Sequence, residues 1–389
     1  MVYILTAFLT TGAVNAIYGY ACFGIFVVFI LQVIRRRNVY LNALGGPSLW
    51  ILMLFGFSYA AIGGDNTGHG LLQAIFYYFI VPVLVYLAGW VLVELDRTNS
   101  AEVLFRTLLS MTIGFVVHAS LDYFINIGRV RWELTDFFTG QIRAATGLGC
   151  INTFAFSLIG YWLFVEKRLK VKISALVLSM PSLLFGLLLG TRTQFGILLA
   201  TSALALLLIT YENRSLTAVS KILAVLLVMG GTTVVLYHTD ALQIRTLIES
   251  STLFQRINDT SAVQQDSDQY RINAFFAGVA AISAYPFGGN PHHYYHNMWL
   301  DVSRIAGIIP FTGILLFTVG SMVSTMQIFL NRQYAVNQRY FLLLIYVGIY
   351  LNFFVEPIME GFMDFFLAFV LITGMVDACK RYPPCPANR

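Results

Sequence analysis

The chain has 389 residues, is 58% hydrophobic and 11% charged, and carries a formal net charge of +5. Its charges fall in clumps between long apolar runs, which excludes a soluble globular domain and marks an integral membrane protein with no nucleic-acid partner. Cys22, Cys150, Cys379 and Cys385 show no paired spacing, so neither a disulfide framework nor a zinc site is expected from them.

A bilayer-crossing helix needs about 20 mostly apolar residues. Such runs fall near 13–34, 47–64, 71–93, 103–126, 145–165, 173–190, 194–210, 219–237, 299–328, 340–355 and 363–378. The first run extends from Val2 to Ile34, longer than one crossing and too short for two. It lacks a basic start followed by a small-residue cleavage site, so no removable signal peptide is expected. The expected fold is an all-α, polytopic membrane bundle of about eleven or twelve spans, a single transmembrane domain over 1–389.

Positive residues resist translocation, which orients the spans. With Arg35, Arg36 and Arg37 on the cytoplasmic side, that side also receives Arg97, Arg106, Lys167, Arg168, Lys170, Lys172, Arg214 and Lys221. Arg332, Arg339, Lys380, Arg381 and Arg389 complete it. The outer side receives Arg129, Arg131, Arg143, Arg192, Arg245, Arg256, Arg271 and Arg304: all arginine, while every lysine falls inside. A guanidinium fork suits phosphate or carboxylate better than a lysine ammonium does. The outer face is therefore expected to hold an anion, the alternative being chance in a lysine-poor chain.

Two outer segments stand out in chain order. Gly128 to Ala144 (GRVRWELTDFFTGQIRA) mixes charge and aromatic residues, as a lid at headgroup level would. The larger one, 238–298, is polar from Glu249 to Tyr270, then apolar from Arg271 to Ala284, and ends in the turn Tyr285-Pro286-Phe287-Gly288-Gly289. The apolar piece is too short to cross and is expected to begin as a helix at Arg271.

No phosphate-binding loop is present, and Gly147-Leu148-Gly149 lacks the third glycine and preceding strand of a dinucleotide fingerprint. Arg192 stands in GTRTQFG between two apolar runs. An unpaired arginine at mid-bilayer costs about 3 kcal/mol, so Arg192 either snorkels to headgroups or faces the interior and holds an anion. Arg271, at the start of its expected helix, would oppose the helix dipole; it is either a solvated cation or the seat of an anionic ligand. Asp266-Ser267-Asp268 is a D-x-D tripeptide too short to argue from. Glu356, Glu360 and Asp364 gather at the junction of the last two spans and are placed either to pair with the arginines and orient an acceptor or as interfacial polarity.

His292, His293 and His296 offer spacings that on a helix would share a face and bind zinc. Pro291 and the preceding glycines argue for a loop instead, with a helix beginning near His296 or Asn297. Metal ligation, a neutral structural role and acid-base work at His296 all remain open. For the last, neighbouring arginines would lower the imidazole pKa and keep it unprotonated, as a base requires.

Three pieces, in order, resemble the O-antigen ligase and polymerase family of integral membrane glycosyltransferases. They are Gly190-Thr191-Arg192-Thr193, then Arg271-Ile272-Asn273-Ala274 leading to Ala284-Tyr285-Pro286-Phe287-Gly288-Gly289, then His296-Asn297-Met298-Trp299-Leu300-Asp301 with Ala306-Gly307-Ile308-Ile309-Pro310. The resemblance covers roughly Gly190 to Pro310; the N-terminal half agrees in topology alone.

The resemblance implies a GT-C-like bundle with catalytic residues in the large outer loop, working without metal or cofactor in the inner (plasma) membrane of a bacterium. A polyprenyl-pyrophosphate-linked glycan would be transferred to a lipid-linked repeat unit with inversion, as in lipopolysaccharide O-antigen synthesis. Arg192 and Arg271 would clamp the leaving pyrophosphate and His296 would take the acceptor proton. Arg129, Arg131, Arg143, Tyr294, Tyr295, Asn297, Asp301, Arg304, Glu356 and Glu360 are the expected substrate contacts. Implied partners are membrane lipid, a chain-length regulator and a flippase. Two alternatives stand: a ligase of the same family delivering the glycan to lipid A core or another acceptor, and a flippase of lipid-linked oligosaccharide.

Overall fold

The computed structural model describes residues 39–68, 70–129, 133–213 and 262–383, with a few positions between 24 and 35 and between 220 and 254. In chain order the helices are α1 (Val39–Leu44), α2 (Pro47–Gly63), α3 (Leu71–Glu94), α4 (Ser100–Asn126), α5 (Ala145–Cys150), α6 (Thr153–Val165), α7 (Leu169–Leu189) and α8 (Arg192–Asn213). They continue as α9 (Ala262–Ala284), α10 (Met298–Ala306), α11 (Ile308–Leu330), α12 (Val336–Val355), α13 (Ile358–Gly361) and α14 (Met363–Arg381). Among the described residues a lone antiparallel bridge joins Thr135 and Ile142.

Six helices among the described residues are long and apolar enough to cross a membrane: α3, the Arg97–Asn126 stretch containing α4, α7, α8 over Arg192–Thr210, α11 and α12. With two shorter apolar helices, α2 and α6, they make this an all-α membrane protein. Most of the expected spans near 13–34 and 219–237, most of the 238–261 loop, Arg131 and Arg256 lie outside the described residues.

Several expected elements need correction. The span near 299–328 is two helices, α10 and α11, separated at Gly307, whose φ of 80 no helix admits. The span near 145–165 is broken between α5 and α6. Most consequential, the helix expected to begin at Arg271 begins at Ala262, so Arg271 lies inside it. No glycine or proline interrupts 262–277, and its Gln, Asp and Ser residues continue a helix at little cost. The dipole argument for an anion at Arg271 therefore fails. Within α3, residues Ile75–Ile80 widen into a π-helical turn just before Pro82, whose ring cannot accept ordinary helical packing against the preceding turn.

The chain divides into two compact units, 1–114 with 267–389, and 115–266. In the first, α14 packs along α3 with the backbones nearly touching. A Cβ on Gly89 would meet the Leu371 carbonyl oxygen, and one on Gly374 that of Tyr86. Small residues allow this close crossing, the main source of helix adhesion where lipid is as apolar as the side chains. Gly313 of α11 sits likewise against Phe55 of α2, at 3.1 Å from a built Cβ. Around these contacts Phe55, Phe317, Phe353, Phe366 and Phe369 form a buried aromatic core. In the second unit, Gly160 of α6 lies against Ser202 of α8, 2.5 Å from a built Cβ, and Gly186 of α7 against Phe156 of α6.

Candidate functional site

The site in the first unit is built on α10, held at both ends. Asn297 caps its N-terminus, accepting from the Leu300 amide at 3.1 Å, and donates from its side chain to the Phe354 carbonyl of α12 at 3.3 Å. At the C-terminus the amides of Gly289 and Asn290 donate to the Ile305 and Arg304 carbonyls at 3.2 and 3.1 Å. The Asn66 side chain adds a second donor to Ile305, at 2.9 Å. Ile308 donates to Pro286 at 2.9 Å and closes the base of the loop. This explains two of the glycines in the turn and break motifs. Gly288 (φ 77) and Gly307 (φ 80) occupy the left-handed region, and a Cβ on either would strike backbone, Ile305 for the former and Pro286 for the latter.

His296 sits just before this helix with φ 53, the one non-glycine residue at positive φ among the described residues. That conformation costs about 1–3 kcal/mol and persists only where the surroundings enforce it. Asp301 enforces it. Its Oδ1 accepts from the Tyr295 amide at 2.7 Å and its Oδ2 from the Asn297 amide at 3.2 Å, the amides on either side of His296. Asp301 is itself buried, and burial pushes its carboxyl up to about 7 against the pull of the Tyr295 amide.

Arg304, three residues on, ties the loop to its neighbours. It donates to the His292 carbonyl at 3.1 Å, pairs with Glu360 of α13, approaches Asp301 at 3.6 Å and lies under the Tyr294 ring at 5.8 Å. Burial raises the Glu360 carboxyl while Arg304 opposes the shift. His292 stacks on Tyr295 at 4.8 Å between centroids, and Tyr295 takes a hydrogen bond from Asn290 at 2.8 Å.

α9 docks on this loop through a stripe of small residues. Ala274 packs with Tyr295 and Leu300, Ala281 and Ile282 pack against that cluster, and a Cβ on Gly278 would lie 3.0 Å from both Tyr295 and Leu300. One turn before Ala274, Arg271 thereby reaches the cavity that holds His296. This cavity, about 250 Å³, is lined by Arg271, Ile272, Phe275, Phe276, Tyr295, His296, Phe354 and Val355. Among the described residues no carboxylate pairs with Arg271, and His296 Nδ1 is buried without a hydrogen-bond partner. Burial first, and the Arg271 charge second, hold the His296 imidazole down to about 4. The direction is the expected one, but arginine is the lesser cause.

The arrangement offers a neutral imidazole with an uncommitted nitrogen, a cation beside it and aromatic walls. Such a cavity can accept a proton from a hydroxyl and hold an anion. Arg271, Tyr295 and His296 line it together; Asn297, Asp301, Arg304 and Glu360 support the loop behind it instead. Tyr294 is exposed, and Glu356 is buried at the end of α12.

The remaining expected contacts belong to the second unit. Arg192 is the first residue of α8, half-buried, after Gly190 turns α7 with φ 62. There, not at Arg271, a cation opposes a helix dipole. Arg129 is exposed and donates to Thr135 Oγ1 at 3.0 Å, and Arg143 pairs with Asp136 at 3.5 Å. Phe275, Phe276 and Phe354 line the cavity and were not singled out from sequence, since phenylalanine occurs 32 times in the chain. No family model matches this chain, and no curated protein matches it either.

Proposed function

We propose that the protein is a polysaccharide polymerase, a GT-C-like glycosyltransferase working on the outer face of a bacterial inner (plasma) membrane. It moves a polyprenyl-pyrophosphate-linked glycan onto the sugar of a lipid-linked repeat unit. The observation that carries this reading is the cavity shared by Arg271 and His296, with a strained histidine backbone held by Asp301.

His296 takes the proton from the acceptor hydroxyl, and that oxygen attacks the anomeric carbon of the donor. The bond from that carbon to the pyrophosphate oxygen breaks, its electron pair leaving with the pyrophosphate, and the anomeric configuration inverts. Arg271 stabilises the charge that develops on the leaving group. A positioned base contributes about 10² to 10⁴ in rate. Phe275, Phe276, Phe354 and Tyr295 offer apolar faces to the sugar ring and the carrier.

The test is to incubate purified protein with lipid-linked repeat units and resolve the products on a gel. A ladder that stays on the carrier is expected from the wild type and is lost in His296→Ala and Arg271→Lys. A ladder undiminished in both variants overturns the reading. Product released to another acceptor identifies the ligase, and carrier translocation spared by His296→Ala identifies the flippase.

A further inference from the structure

The second unit contains a cluster that the proposed reaction does not use. His118, Asp122 and Asn126 recur at intervals of four on α4, so they share one face, and all three are buried. The segment 133–143 folds over this face. Asn126 accepts from the Thr135 amide at 2.9 Å and donates to the Thr135 carbonyl at 2.8 Å. Asp122 Oδ1 accepts from the Phe137 amide at 2.8 Å. Asp136 Oδ1 accepts from the amides of Phe138 and Thr139 and from the Thr139 hydroxyl, at 2.8 to 3.0 Å.

Each carboxylate thus spends one oxygen on fixing its own orientation and turns the other toward His118. His118 Nε2 lies 3.4 Å from Asp122 Oδ2 and 3.3 Å from Asp136 Oδ2. Neither approach makes a hydrogen bond: both ring nitrogens of His118 and Asp122 Oδ2 are buried with no partner among the described residues. One N–H shared between two oxygens at that range would be at best a long three-centre bond, and the ring is not oriented to make it. A cation can serve both. With metal–ligand distances of about 2.0–2.2 Å, two ligands of a tetrahedral ion stand about 3.4 Å apart, which is the spacing found on both sides of His118. The three ligand atoms lie within 4.8 Å of one another, and this is the one such set among the described residues.

We infer that His118, Asp122 and Asp136 bind a divalent first-row transition cation, zinc being the best match to one imidazole and two carboxylates. The inference goes beyond the polymerase reading and does not depend on it. Orienting bonds to the outer oxygen of each ligating carboxylate are what a metal site requires of its surroundings. Phe138, whose ring stands edge-on to His118 at 5.1 Å, covers the cluster. Arg143, 3.5 Å from Asp136 Oδ2, offsets part of the carboxylate charge. The rival occupant is a proton: His118 protonated, with Arg143, would balance the two carboxylates without a metal. The ion would pin the 133–143 segment to the end of α4.

The test uses the full chain, purified in detergent with any affinity tag removed, stripped with a chelator and dialysed. Zinc is then added and the bound metal measured by mass spectrometry, alongside the unfolding temperature. One zinc per chain and a raised unfolding temperature, both reversed by chelator, are expected. The Asp122→Asn/Asp136→Asn double variant should bind none, and His292→Gln/His293→Gln should bind as wild type. Because the double variant can misfold, wild-type protein is also titrated with cobalt. Intense visible bands of a tetrahedral ion are expected at one equivalent. Absence of zinc uptake and of these bands, or full zinc occupancy in a folded double variant, overturns the site and leaves the proton as occupant. The ladder assay on His296 variants is unaffected by either result.

Discussion

Asp301 grips the backbone on both sides of His296, one carboxylate oxygen to each neighbouring amide. The contact is to the main chain, so it sets where the imidazole is held and leaves its nitrogens free. Asp301→Asn replaces one acceptor by an NH2 group facing an amide donor, and His296 loses its enforced conformation. A displacement of about 1 Å at a reacting group can lower rate about 10²-fold. That loss in ladder formation is expected in Asp301→Asn, with helix content by circular dichroism unchanged.

The His296 imidazole, held down to about 4, stays neutral through the range where a free histidine would protonate. The acid limb of kcat/KM, which reports the free enzyme, is therefore expected near pH 4, well below the ordinary histidine value of about 6.5. On the proposed function, pyrophosphate bound at Arg271 would offset its charge, so the limb of kcat is expected at higher pH. In Arg271→Gln, which is expected to be inactive, the imidazole itself followed by NMR should titrate part of the way up toward the ordinary value, since burial is the larger cause. For folding the sign is the same: the unfolded chain binds this proton more readily, so the stability is present above about pH 6.5 and is lost as pH falls toward 4. His296→Gln should flatten that part of the stability profile.

Gly278 sets the distance between α9 and the His296 loop, because it lets Tyr295 and Leu300 approach the helix backbone. Gly278→Val forces them apart and withdraws Arg271 from the cavity. Loss of ladder formation with little change in unfolding temperature is the expected outcome.

Gly307→Ala puts a Cβ against the Pro286 backbone at a φ that alanine avoids. The expected loss is more than about 1 kcal/mol, read as a lowered unfolding temperature in detergent. Gly320→Ala, inside α11 and with open space at its Cβ, should leave the temperature within experimental scatter.

The bounds of α2, α12 and α14 were close to legible in the sequence, because apolar runs of that length have one stable answer in lipid. The division at Gly307 was not, since the flanking residues are as apolar as a continuous span. Arg271 was legible as a residue near the site but not as an interior helical one: a polar helical stretch looks like a loop when its partners cannot be seen. The loop before His296 was readable from Pro291 and the glycines. The grip of Asp301 was not, since an aspartate in the first turn of a helix is explained by the dipole alone. His118 and Asp122 show a four-residue spacing in plain view, yet their convergence depends on Asp136, fourteen residues further on, and on a fold-back that no local pattern announces.

The hydrogen bond from Ile308 to Pro286 ties together the two ends of everything between them. A loop whose ends are joined transmits little of its internal variation to the helices outside it. Pro291 to Tyr294 can therefore drift in sequence while α9 and α11 keep their packing. Related chains are expected to diverge in that tetrapeptide and to retain the glycines at its base.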